Sequence, residues 1–201
     1  MPLQIGVFGI TTRFVVCLTG MPGAGKSTVA NYLRNNNFYV LNMGDIIKEK
    51  ALELNLELND KNLGNLMLSL RKEKNDNGVV AKLMLAKIME LKDIEKIVVD
   101  GIRSYEEFLV FKKVEFAKLL AVRASSNERY ENVKIRNRSD TPENFERFSN
   151  RDKRELSVGI RKAIALADES ISNEDLSLKD LYNQVEKIVK YWSKEFNKID
   201  K

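Results

Sequence analysis

Short apolar runs, continuous rather than alternating, separate longer stretches in which apolar residues recur every three or four positions. Phe14-Val15-Val16-Cys17-Leu18-Thr19, Phe38-Tyr39-Val40-Leu41, Ile97-Val98-Val99 and Ala117-Lys118-Leu119-Leu120-Ala121-Val122 are of the first kind, and they predict strands buried on both faces. Glu169-Ser170-Ile171-Ser172 predicts a short last strand. Helices are predicted over 27–33, 46–58, 63–72, 79–91, 105–114 and 159–167, with breaks at Asn35-Asn36-Asn37, Asn59-Asp60-Lys61-Asn62 and Asn75-Asp76-Asn77-Gly78. Over 79–91, Val80, Leu83, Met84, Ile88 and Leu91 form one stripe, so the methionines read as packing. Leu181, Val185, Ile188, Val189, Trp192 and Phe196 mark the core face of a closing helix. Strands that alternate with helices predict an α/β fold: a five-stranded parallel sheet between two helical layers. Ligands of such sheets bind beyond the carboxyl ends of the strands, and the polar clusters described next all fall there.

Gly20-Met21-Pro22-Gly23-Ala24-Gly25-Lys26-Ser27-Thr28 follows the first strand and opens the first helix. This is the Gly-x4-Gly-Lys-Ser/Thr pattern of a phosphate-binding loop, in its expected strand and helix context. Glycines let the backbone approach phosphate closely, and the N–H groups at the helix start face the anion. Gly20, Gly23, Ala24, Gly25, Lys26, Ser27 and Thr28 are therefore expected to bind ATP. Lys26 would reach the β- and γ-phosphates, and the Ser27 hydroxyl would hold Mg²⁺.

Asp100 and Arg103 stand at the end of the third strand. An acid there is suited to holding Mg²⁺ through water, and an arginine three residues on to clamping an acceptor phosphate. Both are expected catalytic residues.

The 201 residues suit one domain able to bury a proper core. With one cysteine and no histidine, the chain has no disulfide framework, no His-ligated metal and no His-based proton transfer. No apolar run reaches membrane-spanning length and the first thirteen residues lack the pattern of a signal peptide, so a cytoplasmic protein without a membrane partner is expected. The net charge of +5 is modest but unevenly placed: 8 of the 12 arginines fall between Arg123 and Arg161. Guanidinium grips phosphate in a bidentate way that ammonium does not, although interleaved acids also suit a salt-bridged surface.

The chain resembles the nucleoside monophosphate kinases, adenylate kinase above all. Gly44-Asp45-Ile46-Ile47-Lys48 and Asp100-Gly101-Ile102-Arg103 match that family's two acceptor-binding segments, with Lys48 in place of an arginine and Ile102 in place of a proline. The resemblance implies Asp45, Lys48 and Arg103 as acceptor-binding residues, a helical acceptor-binding insertion over 46–94 and an arginine-rich lid over 129–155. The P-loop kinase core would then comprise 14–45, 95–128 and 156–196. Arg136, Arg138, Arg147, Arg151 and Arg154 are the lid candidates, Arg138 being taken as catalytic. Ala167-Asp168-Glu169-Ser170-Ile171-Ser172-Asn173 and Leu181-Tyr182-Asn183-Gln184-Val185 look like the end of dephospho-coenzyme A kinase, which implies Asn173 near the ATP adenine. As a whole the chain is most similar to an uncharacterised archaeal group usually labelled adenylate-kinase-related.

The leading expectation is transfer of the γ-phosphoryl group of ATP, with Mg²⁺, to a small-molecule nucleotide acceptor, AMP first. A second reading is transfer to a hydroxyl, as in dephospho-coenzyme A kinase, with Asp45 as the base. A third is an ATP-driven switch or RNA-associated factor. The basic pI of about 9.1 permits nucleic acid, but Tyr130, Phe145 and Phe148 are thin aromatic interleaving for it.

Overall fold

The computed structural model describes residues 12–136 and 144–199. Five strands, β1 (Phe14–Thr19), β2 (Tyr39–Asn42), β3 (Lys96–Ile102), β4 (Phe116–Arg123) and β5 (Glu169–Ser172), form one sheet in the order β2-β3-β1-β4-β5. All four pairings are parallel, as the continuous apolar runs require. The predicted parallel α/β sheet is thus the observed one.

Successive strand residues divide between two cores. Val15, Cys17, Ile97, Val99 and Leu119 face one side, where α2 (Met43–Glu53), α3 (Asp60–Lys74), α4 (Val79–Glu90) and α5 (Tyr105–Lys112) supply Ile46, Met67, Met84 and Phe108. Phe14, Val16, Leu18, Val98 and Leu120 face the other, against α1 (Lys26–Arg34) and α9 (Leu178–Ile199). Leu181, Val185, Val189, Trp192 and Phe196 of α9 are all buried, and Phe196 stacks on Phe14 at 5.7 Å between centroids. A fully buried side chain of this size contributes about 1.5–3 kcal/mol, so this stripe fastens the last helix.

Over the carboxyl end of the sheet lie α6 (Ser126–Arg136) and α7 (Phe145–Val158), followed by α8 (Ile160–Ala165). Arg138 lies outside the described residues, and Arg136 ends α6. Three local readings change. Asn59 does not merely break a helix: its side chain accepts from the Asn62 N–H at 2.9 Å and starts α3 at Asp60. Asn42 likewise caps α2, accepting from the Gly44 N–H at 2.7 Å, so that helix begins at Met43 and ends at Glu53. The third strand runs on through Asp100 and Gly101 to Ile102, because β1 and β3 shift register there: Leu18 pairs with Asp100 but Thr19 with Ile102. Gly101, at φ 102°, is the extra residue of this bulge, and the Thr19 hydroxyl donates to the Ile102 carbonyl at 2.9 Å just beyond it.

Trp192→Ala should lower the folding free energy by about 3–5 kcal/mol, read from urea denaturation followed by circular dichroism. A loss below about 1 kcal/mol would mean that α9 is not fastened by this face.

Candidate functional site

A crevice of about 1290 Å³ opens at the carboxyl end of the sheet. Gly20, Gly23, Gly25, Lys26, Ser27 and Thr28 line its floor, with Asp100 and Arg103 beside them. Lys48, Asp60 and Met67 stand on one wall and Arg151, Arg154 and Glu155 on the other. Asn173 lies at the opposite end. Ala24 is fully buried beneath the loop.

The loop has the form a polyphosphate needs. Gly25 sits at φ 102° immediately before α1, and a Cβ there would come within 2.5 Å of Asn173 Nδ2. Only glycine fits both the dihedral and the approach. Asn173 Nδ2 donates to the Ala24 carbonyl at 3.2 Å, so Asn173 braces the loop from below in addition to lining the crevice. Asn132 Nδ2 and Arg129 Nη1, both on α6, donate to the Gly23 and Pro22 carbonyls at 3.0 and 3.1 Å. The loop is therefore held from both sides while its N–H groups stay at the start of a helix, where an anion is favoured.

Lys26 Nζ donates to the Gly20 and Met21 carbonyls at 2.7 and 3.1 Å. Burial lowers its pKa to about 8; Asp100 and Glu155 work against that shift, and Arg103 and Arg151 add to it. Asp100, 5% exposed at the end of β3, and Ser27, at the start of α1, provide oxygens of the hard kind that Mg²⁺ prefers.

On the acceptor side the arginines are held by carboxylates. Arg103 Nε lies 3.1 Å from Glu155 Oε2, its backbone N–H donates to Glu107 Oε2 at 2.7 Å, and Nη1 rests against Met67 Sδ. Glu107 is fully buried, caps α5 and pairs with Arg71 of α3; burial pushes its carboxyl up from the ordinary value while Arg71 pulls it back. Arg154 makes two bonds to Asp60, at 3.0 and 2.7 Å, and Arg151 Nε lies 3.8 Å from the same carboxylate. Gly64, one turn after Asp60, leaves room for this: a Cβ there would sit 2.8 Å from the Arg154 guanidinium carbon. Arg129 is bidentate to Asp152 at 3.0 and 2.6 Å.

Of the expected site residues, the crevice gathers the phosphate loop, Asp100, Arg103, Lys48, Arg151, Arg154 and Asn173. Asp45 is half-exposed, pairs with Lys48 at 2.9 Å and is not among the lining residues. Arg147 is exposed and outside the lining as well. Glu155, Asp60, Glu107 and Arg71 had no assigned part. The run Arg151-Asp152-Lys153-Arg154-Glu155 carried a signal for the first, since it sets an acid beside each arginine. No such signal marked Asp60, whose partner is 94 positions away.

A family model described as an AAA domain matches residues 16–157. The UPF0200 proteins of Methanococcus vannielii and Methanocaldococcus jannaschii are 35% and 37% identical, each over 87% of this chain, covering 96% and 88% of the relatives. The chain belongs to the UPF0200 family. Its P-loop domain implies nucleotide binding. Two solved structures share the fold. TT1252 from Thermus thermophilus has a TM-score of 0.61 at 20% identity, over 90% of this chain and 98% of that one. Shikimate kinase from Bacteroides thetaiotaomicron has a TM-score of 0.57 at 14% identity, over 88% and 98%. The kinase-like P-loop fold is thereby established for this UPF0200 protein. No helix among the described residues is long and apolar enough to cross a membrane.

A phosphate contact at Lys26, as the loop pattern predicts, would restore its charge, so that nucleotide binding would take up a proton once the pH passes the free value of about 8. The affinity for Mg-ATP should be full at pH 7 and fall by up to about tenfold per unit above pH 8, measured by calorimetry in buffers of differing ionisation heat. A flat affinity between about pH 7 and 9.5 would remove Lys26 from the phosphate contact.

Proposed function

We propose that this protein is an ATP-dependent nucleotide kinase that transfers the γ-phosphoryl group to a nucleoside monophosphate, AMP being the first candidate. The observation that carries this reading is the set of cations Lys48, Arg103, Arg151 and Arg154, which shares one crevice of about 1290 Å³ with the phosphate loop. A pocket for a single ligand spans about 300–1,000 Å³, so this space suits two nucleotides.

The roles follow from position. The loop N–H groups and Lys26 bind the donor phosphates and take up charge as it moves outward. Ser27 and Asp100 would hold Mg²⁺, which neutralises charge on the β- and γ-phosphates when bound. Arg103 and Arg151 bind the acceptor phosphate and align it with the donor. Phosphate is already nucleophilic, so no base is required and transfer depends on alignment and on exclusion of water. Closure of α6 and α7 over the crevice provides that exclusion. A reaction of this kind calls for a small-molecule acceptor rather than a nucleic acid or a membrane, and for the ATP pool of the cytoplasm.

The test is ADP formation from Mg-ATP, alone and with AMP, CMP, UMP, GMP or dephospho-coenzyme A. Acceleration by one monophosphate, with its diphosphate appearing, is expected, and Lys26→Ala should lower kcat by about 10²–10³-fold. Acceleration by dephospho-coenzyme A alone would replace the phosphate acceptor with a hydroxyl. Turnover that no acceptor changes would overturn the kinase reading.

A further inference from the structure

Glu155 is the most buried carboxylate among the residues that line the crevice, 2% exposed on α7 and fifty-two positions along the chain from the arginine it meets. It lies in the field of Lys26 together with Asp100, Arg103 and Arg151. Stability alone does not call for a carboxylate there, because a well-packed apolar residue usually serves a buried position at least as well as an ion pair. A negative charge beside the path of a transferring phosphoryl group also opposes phosphate binding, unless it acts on a cation that is itself needed.

The contacts of Arg103 identify that cation. Its backbone N–H is fixed by Glu107, Nη1 is turned against Met67 Sδ, and Nε faces Glu155 Oε2 at 3.1 Å. A guanidinium has five donors in a rigid plane, so an anion held on its Nε side draws that side towards itself and turns the outer Nη edge to a second anion. A thioether accepts hydrogen bonds weakly, so the Met67 contact is exchanged for a phosphate oxygen at small cost. The other carboxylates behave differently. Asp60 occupies both Nη atoms of Arg154, and Asp152 both of Arg129, which blocks the edges that would grip phosphate. Glu155 meets Arg103 from the Nε side, as an ion pair at 3.1 Å, and a grip through the two Nη atoms does not need Nε.

We propose that Glu155 is a positioning residue for the acceptor site: from the lid helix α7 it orients the Arg103 guanidinium so that its outer edge faces the acceptor phosphate. This rests on the phosphate-acceptor reading above. It also makes the acceptor grip a property of two elements, since Arg103 stands on the sheet and the group that orients it stands on α7.

The experiment is a double-substitution cycle on the full chain with Glu155→Gln, Arg103→Ala and both together. The readouts are KM and kcat for ATP and for the accelerating monophosphate, and the affinity for a bisubstrate probe of two adenosines joined through five phosphates. Glu155→Gln should raise the acceptor KM and weaken the probe by roughly tenfold, with the ATP KM changed less than about twofold. Placed on Arg103→Ala, the same substitution should add less than about twofold, because the residue it orients is gone. Glu155→Asp should recover part of the loss. A far-ultraviolet melting curve for each variant separates these effects from unfolding. Equal probe affinity in wild type and Glu155→Gln overturns the proposal, as does a penalty that persists in full without Arg103. Loss of transfer to a hydroxyl acceptor alone would make Glu155 a base and also overturn it. If the wild type binds ATP but neither the probe nor any monophosphate, the phosphate-acceptor reading fails and takes this inference with it, an outcome distinct from the others because it appears before any substitution.

Discussion

Positive charge gathered in a recessed site must be neutralised at every stage, whether or not a polyphosphate is there to do it. This constraint explains the crevice better than any single residue does. The arginines that line or underlie it meet carboxylates from other elements: Arg154 and Arg151 meet Asp60, Arg129 meets Asp152, Arg103 meets Glu155 and Arg71 meets Glu107. The same pairs tie α3 to α7, α6 to α7, α7 to Arg103 just past β3, and α3 to α5. Charge balance and architecture are therefore one arrangement. Phosphates that arrive compete with internal acids, so binding and rearrangement of these helices are energetically linked.

The sheet and its covering helices were legible in the sequence because short continuous apolar runs alternating with helical stretches have few alternatives to a parallel sheet covered on both faces. The phosphate loop was legible because a cradle for an anion demands glycine, lysine and hydroxyl at fixed spacing. Asp100 and Arg103 could be placed because they follow a buried strand immediately, where fold and chemistry coincide. What stayed hidden was pairing at long range. Asp60 reads as a turn residue until α7 is laid across it, and Glu107 as an ordinary helix residue until Arg71 is found buried against it. Asn59 reads as a break although it begins a helix, since asparagine serves either purpose and only the backbone direction decides.

Asn173 illustrates a further limit. The resemblance to the end of dephospho-coenzyme A kinase implies a place near the adenine, and the structure adds a bond to the loop carbonyl of Ala24. Similarly, Asp168 accepts from the Leu119 N–H at 2.7 Å and secures the register of β4 against the segment before β5. Short motifs name positions that matter without saying whether they matter to the ligand or to the scaffold that presents it.

The bulge at Gly101 bears on more than local twist. In a regular strand side chains alternate between faces, so residues three apart point to opposite sides of the sheet. Val99 and Ile102 nonetheless share one core, while Val98 belongs to the other. The extra residue inverts the parity of Ile102, and Asp100 before the bulge and Arg103 after it both line the crevice. One inserted backbone unit thus turns an odd spacing into an even one. The proposed metal-holding acid and the proposed acceptor arginine then address the same space from a single strand end.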